Sequence, residues 1–496
     1  MKNLNHCDVL IIGAGPVGLT TAAFLNHYGI DVKIIDKNSQ ATTTSNAVGM
    51  QARTLELFQL LGLDQAFMKA GKHVRFFAAY RHQKIIGTFD FNHVSSDHHY
   101  ICNIPQSATE SILIDHLAQH NLHVERRKTL TGFTTQNNGV TASITTPTND
   151  ETIHCNWLIA CDGYHSTVRE QLNVPYRGDD LPQKFLMIDA PVTWTEPLDS
   201  ICLSTEKNLG LTLFPMLNSV RMILEVSHNK KYKGIETFDQ QLFMDVAQSC
   251  LPGTMNIGTP LWQSHFWVHE RLADHYNIDR VFLVGDAAHA HSPAGGQGMN
   301  TGMQDAINLS WKLAWTIKGH GSAQLLQSYQ QERRPVAQRV LKRSSKMTKI
   351  GMGNSLLPRL IRNYIAPLLL RTDAVQKAFT NYIAETDINY RNSAIVSGTA
   401  QQHLYPGDRI AAMPLIDTTH KCVILDFSGD LKNTCEEFAT IAKIHTIKSP
   451  QQLANTTLAK LKCTYCVIRP DLYIGYMGND QHALKDYLKL LTQDNK

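Results

Sequence analysis

The sequence predicts an α/β protein, more fully an α+β chain of several domains, and three observations support this fold class. The chain has 496 residues, whereas a single domain spans roughly 100–200 residues. Its N-terminus alternates strand, helix and strand patterns, which is typical of a parallel sheet. Its middle part consists of short alternating apolar runs, which favour an antiparallel sheet, and strand patterns return near the C-terminus.

The composition excludes several function classes. Hydrophobic residues make up 43% of the chain and charged residues 18%, as in ordinary soluble globular proteins. The net charge is +4 and no long Lys/Arg-rich run occurs, which argues against nucleic acid as a partner. The 10 cysteines are scattered, unlike a disulfide framework, so we expect a cytoplasmic protein. No apolar run approaches the ~18 residues that span a bilayer, and we expect no integral membrane segment.

The parallel-sheet patterns lie on both sides of a long insertion. Asp8–Ile12, Pro16–Tyr28 and Asp31–Asp36 have the pattern of a βαβ unit. Val281–Val284 again resembles a buried strand, so we expect the chain to leave this domain and return to it. We therefore expect a first domain at 1–175, an antiparallel lobe at 176–270 to which 74–100 also contributes, a return with a helical segment at 271–395, and a C-terminal unit at 396–496.

The first motif is a GxGxxG loop after the first strand, formed by Gly13, Ala14, Gly15, Pro16, Val17 and Gly18. Such glycines permit a tight turn, close approach of the backbone to a pyrophosphate and close helix–strand packing. The helix that follows directs its positive N-terminal end at the phosphates. Asp36 ends the next strand, where a carboxylate can accept a hydrogen bond from an adenosine ribose. The loop predicts a Rossmann-like dinucleotide site and leaves the choice between NAD and FAD open.

A second motif, IACDGYHSTVR, also stands at a strand end. It places Asp162 and Gly163 directly after the strand, with Ser166 and Arg169 following. Taken alone, this pattern is equally typical of a helix N-cap followed by a surface arginine. Its significance therefore depends on the other motifs.

A third motif, RVFLVGDAAHAHSPAGGQGMN, occupies residues 280–300. The apolar run stops at Gly285 and Asp286, a Pro- and Gly-rich loop follows, and a helix is predicted over Thr301–Ile317. A carboxylate beside backbone amides at a helix start suits a ligand that has hydroxyl groups and develops negative charge.

In this order and spacing, the three motifs resemble those of the group A flavoprotein monooxygenases. These are single-component aromatic hydroxylases with a para-hydroxybenzoate hydroxylase-like fold, and the resemblance covers about residues 7–345. It implies a Rossmann-like FAD-binding domain with an inserted antiparallel substrate domain. It also implies FAD as the cofactor, NAD(P)H as a transiently bound co-substrate, and O2 that reacts through a flavin C4a-hydroperoxide. The tail from about Ala400 resembles the thioredoxin-like C-terminal domain of phenol and polyketide hydroxylases.

The resemblance assigns roles to residues at both ends of FAD. Gly13, Gly15 and Gly18 would hold the diphosphate, and Asp36 the adenosine ribose. Asp162 would lie in the motif associated with both FAD and the nicotinamide dinucleotide. At the other end, the implied flavin contacts are Gln106 beside the flavin, Asp286 on the ribityl hydroxyls, Pro293 on the flavin face, and Gly298, Met299 and Asn300 at the pyrimidine edge.

The sequence departs from the family at one position. Many relatives carry an arginine just before the Ala that precedes the ARTLE helix, and here Asn46 stands in its place. Lys37 or Arg53 could supply the missing cationic contact to the cofactor or substrate. For Arg53, a surface ion pair is an equally good interpretation.

Three other features have simpler interpretations than the functions they suggest. His289 and His291 lack a constellation of further ligands, so we expect no metal and assign them to the pocket mouth. Cys463 and Cys466 form a CxxC that enters a late strand, which favours structural thiols over a redox pair. Leu356–Leu370 is interrupted by a proline, which favours a packing helix over an interfacial membrane helix.

The leading hypothesis is an FAD-dependent, NAD(P)H- and O2-using hydroxylase of a phenolic or polycyclic aromatic compound. One alternative is an antibiotic-modifying monooxygenase of the same chemistry. A flavin dehydrogenase or reductase without oxygen insertion and a non-catalytic FAD scaffold are further alternatives. The pocket walls are expected from the strands within Leu203–Val226 and from the loop near Pro293. No catalytic side chain is identified, and a homodimer is one expectation for assembly.

Overall fold

The computed structural model describes most of the chain. The described residues are 5–42, 47–136, 138–206, 209–227, 239–292, 296–352, 372–401, 403–411, 420–431, 436–453 and 456–492. Asn46, Pro293 and Leu356–Leu370, to which the sequence analysis gave interpretations, lie outside them. No helix in these described ranges is long and apolar enough to cross a membrane.

A mainly parallel sheet forms the first layer. Its central strand, His6–Ile12, pairs in parallel with Val32–Asp36 on one side and Asp150–Ala160 on the other. Asp150–Ala160 pairs in turn with Val281–Leu283, so the chain does return to this sheet after the insertion. The strands in spatial order are Asn277–Ile278, Val281–Leu283, Asp150–Ala160, His6–Ile12, Val32–Asp36 and Val124–Arg126, with Gly139–Thr145 and Thr129–Gln136 branching from Asp150–Ala160.

Helices cover this sheet and bury its apolar residues. Leu10, Phe24, Leu283 and Trp311 are among the fully buried side chains of the resulting core. The helix Ala52–Phe58 is followed by a 3-10 turn, Gln59–Leu61, which ends at the left-handed Gly62. The helices in this part are Pro16–His27, Ala52–Phe58, Asp64–Ala70, Gln106–Gln119, Thr167–Gln171, Gly298–Ile317 and Ala323–Met352.

A second sheet, also of eight strands, forms the inserted lobe. It is antiparallel except where Phe76–Arg81 pairs in parallel with Ser200–Glu206, so residues from the 74–100 region do join it. Its strands in order are His289–Ala290, Trp262–Ala273, Tyr176–Ala190, Val220–Glu225, Leu209–Pro215, Ser200–Glu206, Phe76–Arg81 and Lys84–Asp90. Shorter strands form two small sheets, Val48–Met50 with Ile101–Pro105 and Lys72–Val74, and Val192–Trp194 with Met255–Ile257.

Because side chains alternate along its strands, the sheet of the inserted lobe has two different faces. Leu186, Leu213 and Leu224 point to one face and pack against the helix Gln240–Cys250, which is why they are buried. Side chains of the other face are turned toward residues of the first domain, since Arg221 donates to the carbonyl oxygen of Ala47, just before the strand Val48–Met50. The lobe therefore lies over the parallel-sheet domain with its second face inward.

The C-terminal unit is a separate sheet followed by a helix. Cys422–Asp426 pairs in parallel with Ala442–Thr446 and antiparallel with Tyr465–Ile468, which pairs antiparallel with Ile474–Gly478. The strands thus form a small α/β unit of their own, and its thioredoxin-like character stays a prediction. The short strand Ser397–Gly398 joins the edge, and the helices of this region are Asp373–Ile383 and Gln481–Leu491.

The CxxC of this unit lies in the core. Cys463 and Cys466 are buried, and Cys466 belongs to the strand Tyr465–Ile468. Burial raises the pKa of the Cys463 thiol to about 11, so the reactive thiolate is scarce at neutral pH. This placement supports the structural interpretation of the two thiols.

Candidate functional site

The GxGxxG loop packs directly against the end of the strand Asp150–Ala160. A Cβ atom on Gly13, whose φ is +98°, would lie 2.4 Å from the carbonyl oxygen of Cys161. A Cβ on Gly18 would lie 1.9 Å from the carbonyl oxygen of Gly13. A Cβ on Gly15 would meet no described atom within 4 Å. Two of the glycines are therefore required by packing, whereas Gly15 leaves open space in front of a helix N-terminus, where a pyrophosphate can approach.

Asp36 is tied to the glycine loop. Its Oδ2 accepts a hydrogen bond from the backbone N–H of Ala14 at 2.7 Å, and its Oδ1 accepts from the N–H of Asn38 at 2.7 Å. Arg126 lies 3.7 Å from Asp36 Oδ1, whereas Lys37 next along the chain is exposed. Arg126 ends the strand beside Val32–Asp36, and only the strand order could have revealed this neighbour.

The second motif contains an unsatisfied carboxylate. Oδ2 of Asp162 accepts from the backbone N–H of Val168 at 3.2 Å, while its Oδ1 is buried without a hydrogen-bond partner in the described structure. Burial raises the pKa of this carboxyl group. A buried acceptor that lacks a donor is costly, so it favours a ligand that donates to it.

Arg169 connects the second motif to the third. Its guanidinium donates to the carbonyl oxygens of Ala287 at 3.1 Å and Tyr164 at 2.8 Å, and it lies 3.9 Å from the ring centre of Tyr176. The surface-arginine interpretation is therefore wrong. The N-cap interpretation is confirmed, because Ser166 Oγ accepts from the Arg169 N–H at 3.0 Å. The functional interpretation of this motif stays a prediction.

Asp286 stands where the first and third motifs meet. It lies in the 3-10 turn Gly285–Ala287. A Cβ on Gly285 would lie 3.0 Å from Val17, and a Cβ on Gly302 would lie 2.7 Å from the same side chain. The Asp286 side chain is open to solvent, yet the surrounding protein desolvates its carboxyl group and raises its pKa. An accessible acceptor therefore lies next to the glycine loop.

The predicted flavin end begins at the helix Gly298–Ile317. Asn300 is fully buried, and its Oδ1 accepts from the backbone N–H of Gln51 at 2.9 Å while its Nδ2 donates to the carbonyl oxygen of Gly49 at 3.0 Å. The side chain of Asn300 thus fixes the helix start, and contact of this segment with the flavin stays a prediction. Met299 is half-buried against the core.

Gln106 starts another helix, Gln106–Gln119, and its Nε2 donates to Oε1 of Glu110 at 2.9 Å. Burial raises the pKa of Glu110. The structure places Gln106 half-buried at the end of the strand Ile101–Pro105, on a helix start like the other predicted ligands. Its contact with the flavin stays a prediction.

Arg53 was predicted as a candidate contact to the cofactor, but the structure places its side chain at a different site. Its side chain is fully buried, and it donates to the carbonyl oxygens of Ile410 at 3.0 Å and Asp471 at 2.8 Å, and to Glu56 at 3.0 Å. Both interpretations from the sequence are corrected, because the residue is neither a surface ion pair nor free to contact FAD. It faces the C-terminal unit, and we leave it out of the proposed FAD site.

Of the two histidines of the third motif, His289 belongs to a buried polar network, whereas His291 is half-buried and its Nδ1 lies 3.2 Å from the carbonyl oxygen of Ser292. His289 Nε2 lies 2.6 Å from Asp305 Oδ2, and Arg333 Nε donates to Asp305 Oδ1 at 2.6 Å. Burial lowers the pKa of His291 to about 4, so this imidazole is neutral at physiological pH. The described part of the chain contains no cluster of three or more potential metal ligands. Asp305 and Arg333 were missed by the sequence analysis, since helical residues far apart in the chain give no local signal.

The inward face of the lobe carries a row of partly exposed side chains. Leu203 pairs with Thr212, and Thr212 pairs with Ile223, so the three stand side by side on adjacent strands. All three are half-buried, which distinguishes them from the buried Leu186, Leu213 and Leu224 on the other face. This row lies within the range from which pocket walls were predicted.

The same face contains a buried ion pair. Arg221 Nε and Nη2 each donate to one carboxylate oxygen of Asp189 at 2.7 Å, and Nη1 donates to the carbonyl oxygen of Ala47 at 3.0 Å. Ala47 precedes the strand Val48–Met50, whose Gly49 contacts Asn300. The inward face of the lobe and the predicted flavin end are therefore neighbours, and the charge of Arg221 is already balanced.

Comparisons with known proteins cover nearly the whole chain. The model of the family described as "FAD binding domain" matches residues 6–344. Rifampicin monooxygenase of Rhodococcus hoagii is 32% identical over 97% of this chain and 97% of its own. 6-Methylpretetramide 4-monooxygenase of Streptomyces rimosus is 29% identical over 95% of this chain and 90% of its own. The solved anhydrotetracycline hydroxylase OxyS of Streptomyces rimosus has a TM-score of 0.78 at 25% identity and covers 98% of this chain and 99% of its own, which confirms the predicted fold class.

Proposed function

Since the chain belongs to the FAD binding domain family, it is a flavin-dependent monooxygenase, and we propose that it hydroxylates a polycyclic aromatic compound with NAD(P)H as reductant and O2 as oxygen source. The reductase alternative is not supported, because the relatives reported above are named monooxygenases or hydroxylases. A cytoplasmic location and a homodimer stay predictions.

The chemistry of the site residues fits FAD. The open space at Gly15 suits the pyrophosphate, and the buried Oδ1 of Asp162 lacks a donor that a bound ligand can supply. The accessible carboxylate of Asp286 suits ribityl hydroxyls. The start of the helix Gly298–Ile317 offers backbone amides and the positive end of the helix dipole, which suit the negative charge of a reduced flavin.

Bound FAD would supply the redox and oxygen chemistry, and the protein's part is to bind, orient and exclude water. The observation that carries the substrate proposal is the row Leu203, Thr212 and Ile223 on the face that adjoins the flavin end. Two of its members are apolar and the third offers one hydroxyl group. Such a surface favours a flat, mainly apolar ligand over an anionic one, since Arg221 is already paired with Asp189.

The sizes of the relatives' substrates support the polycyclic class. Rifampicin, 6-methylpretetramide and anhydrotetracycline appear in the names of proteins similar to this chain over nearly its full length. An antibiotic is therefore a specific second candidate as substrate, with rifampicin as the compound to test first.

The proposal is tested with the purified, FAD-loaded protein. NAD(P)H oxidation and O2 consumption are measured with rifampicin, anhydrotetracycline, pentachlorophenol and simple phenol, under air and under ¹⁸O2. We expect one of the polycyclic compounds to stimulate both rates and to yield a product that carries one ¹⁸O atom. Turnover without O2 in the presence of another electron acceptor, and a product without label, would contradict the oxygenase function.

A further inference from the structure

Arg53 connects the C-terminal unit to the helix Ala52–Phe58. Its guanidinium donates to three backbone carbonyl oxygens of the C-terminal unit, those of Ile410, Asp471 and Leu472, at 3.0, 2.8 and 3.3 Å. It also lies 4.7 Å from the ring centre of Tyr473. A planar guanidinium can serve several acceptors at once in a fixed geometry, which an ammonium group cannot do.

Glu56, one helical turn further on, strengthens this connection. Its Oε2 accepts from Arg53 at 3.0 Å, and Arg409 of the C-terminal unit donates to both of its carboxylate oxygens, at 2.5 and 2.6 Å. Burial would raise the pKa of Glu56, but Arg409 and Arg53 lower it overall. The helix Ala52–Phe58 therefore contacts the C-terminal unit through two charged side chains, Arg53 and the ion-paired carboxylate of Glu56.

The opposite side of this helix contacts the predicted flavin end. The backbone N–H of Gln51, which caps the helix, donates to Asn300 Oδ1 at 2.9 Å. Thr54 Oγ1 accepts from Gln304 Nε2 at 3.3 Å. Gln304 belongs to the helix Gly298–Ile317 and follows Asn300 by about one turn. A helix of two turns thus touches the C-terminal unit with Arg53 and Glu56 and the flavin-end helix with Gln51 and Thr54.

We propose that Arg53 is a positioning residue through which the C-terminal unit holds the helix Ala52–Phe58, and thereby Asn300 and the flavin end of the FAD site, in place. The inference rests on the FAD site proposed above. It gives the C-terminal unit a role in cofactor retention, and it makes no use of the CxxC. The rigid carbonyl contacts of Arg53 keep Gln51 oriented toward Asn300, because residues so close in one short helix move together.

The test uses the variant Arg53→Lys, which retains the charge and loses the planar fork. We expect the dissociation constant of FAD, measured by fluorescence titration of the full-length apoprotein, to rise about tenfold, a typical size for coupling through a packed network. The matched control is Arg391→Lys. Arg391 lies just before the C-terminal unit and is exposed. Like Arg53 it is held by more than one hydrogen bond, in this case two to Asp408, and its replacement should leave FAD affinity unchanged.

A double-mutant cycle separates positioning from general loss of stability. If Arg53 acts through Asn300, FAD affinity in Arg53→Lys, Asn300→Ala and the double variant will be non-additive. Additive effects, or a lower melting temperature with unchanged FAD affinity, would overturn the proposal. If Arg53→Lys does not fold, Arg409→Gln is used in the same cycle, since it removes a partner of Glu56 together with the hydrogen bonds of Arg409 to the carbonyl oxygens of Thr386 and Ser95. None of these measurements requires a substrate, so failure of the hydroxylase function would be visible separately.

Discussion

His289 and Asp305 form a buried pair whose nitrogen and oxygen atoms, Nε2 and Oδ2, are 2.6 Å apart. Neither side chain is exposed, and Arg333 contacts the second oxygen of the same carboxylate. Asp305 Oδ2 also accepts from the backbone N–H of Gly285 at 3.3 Å. The network thus supports the turn that carries Asp286 through contacts with the helix Gly298–Ile317, which follows this turn in the chain.

Replacing Asp305 by Asn should therefore destabilise the protein strongly. Burial would raise the pKa of Asp305, but Arg333 and His289 hold it below its usual value, so the carboxylate is ionised. The neutral amide leaves the Arg333 charge buried without compensation, a loss of about 3–5 kcal/mol. Urea unfolding of the parent protein and of Asp305→Asn measures this difference in the free energy of unfolding. Asp245→Asn, on an exposed helix face, is the control, and equal stability of both variants would contradict the assignment.

Alanine at Gly15 and at Gly18 should have different consequences. Gly18→Ala brings a methyl group into the Gly13 carbonyl, so we expect an unstable apoprotein and no FAD binding. Gly15 has φ −77° and ψ −176°, which alanine tolerates, and space around its Cβ. Gly15→Ala should therefore melt like the parent apoprotein and still bind FAD weakly, because the methyl group occupies the approach of the pyrophosphate.

Thermal unfolding of the apoproteins and FAD titration distinguish the two cases. Gly132→Ala serves as the control, since its added Cβ would make only an ordinary contact, 3.7 Å from Gln171 Oε1. Full FAD affinity in Gly15→Ala would show that the pyrophosphate does not lie there.

Asp286→Ala should weaken FAD retention. The change removes a charged acceptor for ribityl hydroxyls, worth about 1.5–3 kcal/mol, or roughly a ten- to hundredfold rise in the dissociation constant. The FAD affinity of Asp286→Asn should lie between that of the parent protein and that of Asp286→Ala, because the amide keeps one acceptor oxygen. The flavin absorbance that remains after gel filtration reports the effect, with Asp245→Ala as the control. Undiminished yellow colour in Asp286→Ala would count against the assignment.

Glu385 predicts a pH dependence of stability. It accepts from Thr301 Oγ1 at 3.0 Å and from Gln304 Nε2, and burial raises its pKa to about 8. A carboxyl group whose pKa is higher in the folded state binds its proton more tightly there. Its contribution to the free energy of unfolding is therefore lost as the pH rises from about 4.5 to about 8.

Glu385→Gln removes this titration. We expect the stability of the parent protein, measured by urea unfolding, to fall between pH 5 and pH 8.5 by on the order of 4 kcal/mol relative to the variant. Parallel stability curves for the two proteins over this range would show that Glu385 does not carry the effect.

Thr212→Phe should change the substrate range without affecting the cofactor. The larger side chain fills the centre of the row between Leu203 and Ile223, so KM for a polycyclic substrate should rise by about tenfold or more. FAD affinity and the unstimulated NAD(P)H oxidation should stay the same. Thr193→Phe, at an exposed position of a separate small sheet, is the control. Unchanged KM for every substrate would place the pocket elsewhere.

Local patterns in the sequence were sufficient for the parallel sheet, the three motifs and the family. Strand alternation, the glycine spacing and the position of Asp36 are properties of short segments, and each leaves a signal in the order of residues. The same applies to the burial of Cys466 and to Ser166 as an N-cap.

The contacts between distant segments became visible only in the folded chain. Arg53 meets Asp471, Asp305 meets His289, and Leu203, Thr212 and Ile223 form one row, because packing brings together residues that are separated by many others. Side-chain type and helix periodicity predict on which face of an element a residue lies, but not which residue of another element packs against that face. For this reason the sequence offered Arg53 to the cofactor, whereas the tertiary structure assigns it to the junction with the C-terminal unit.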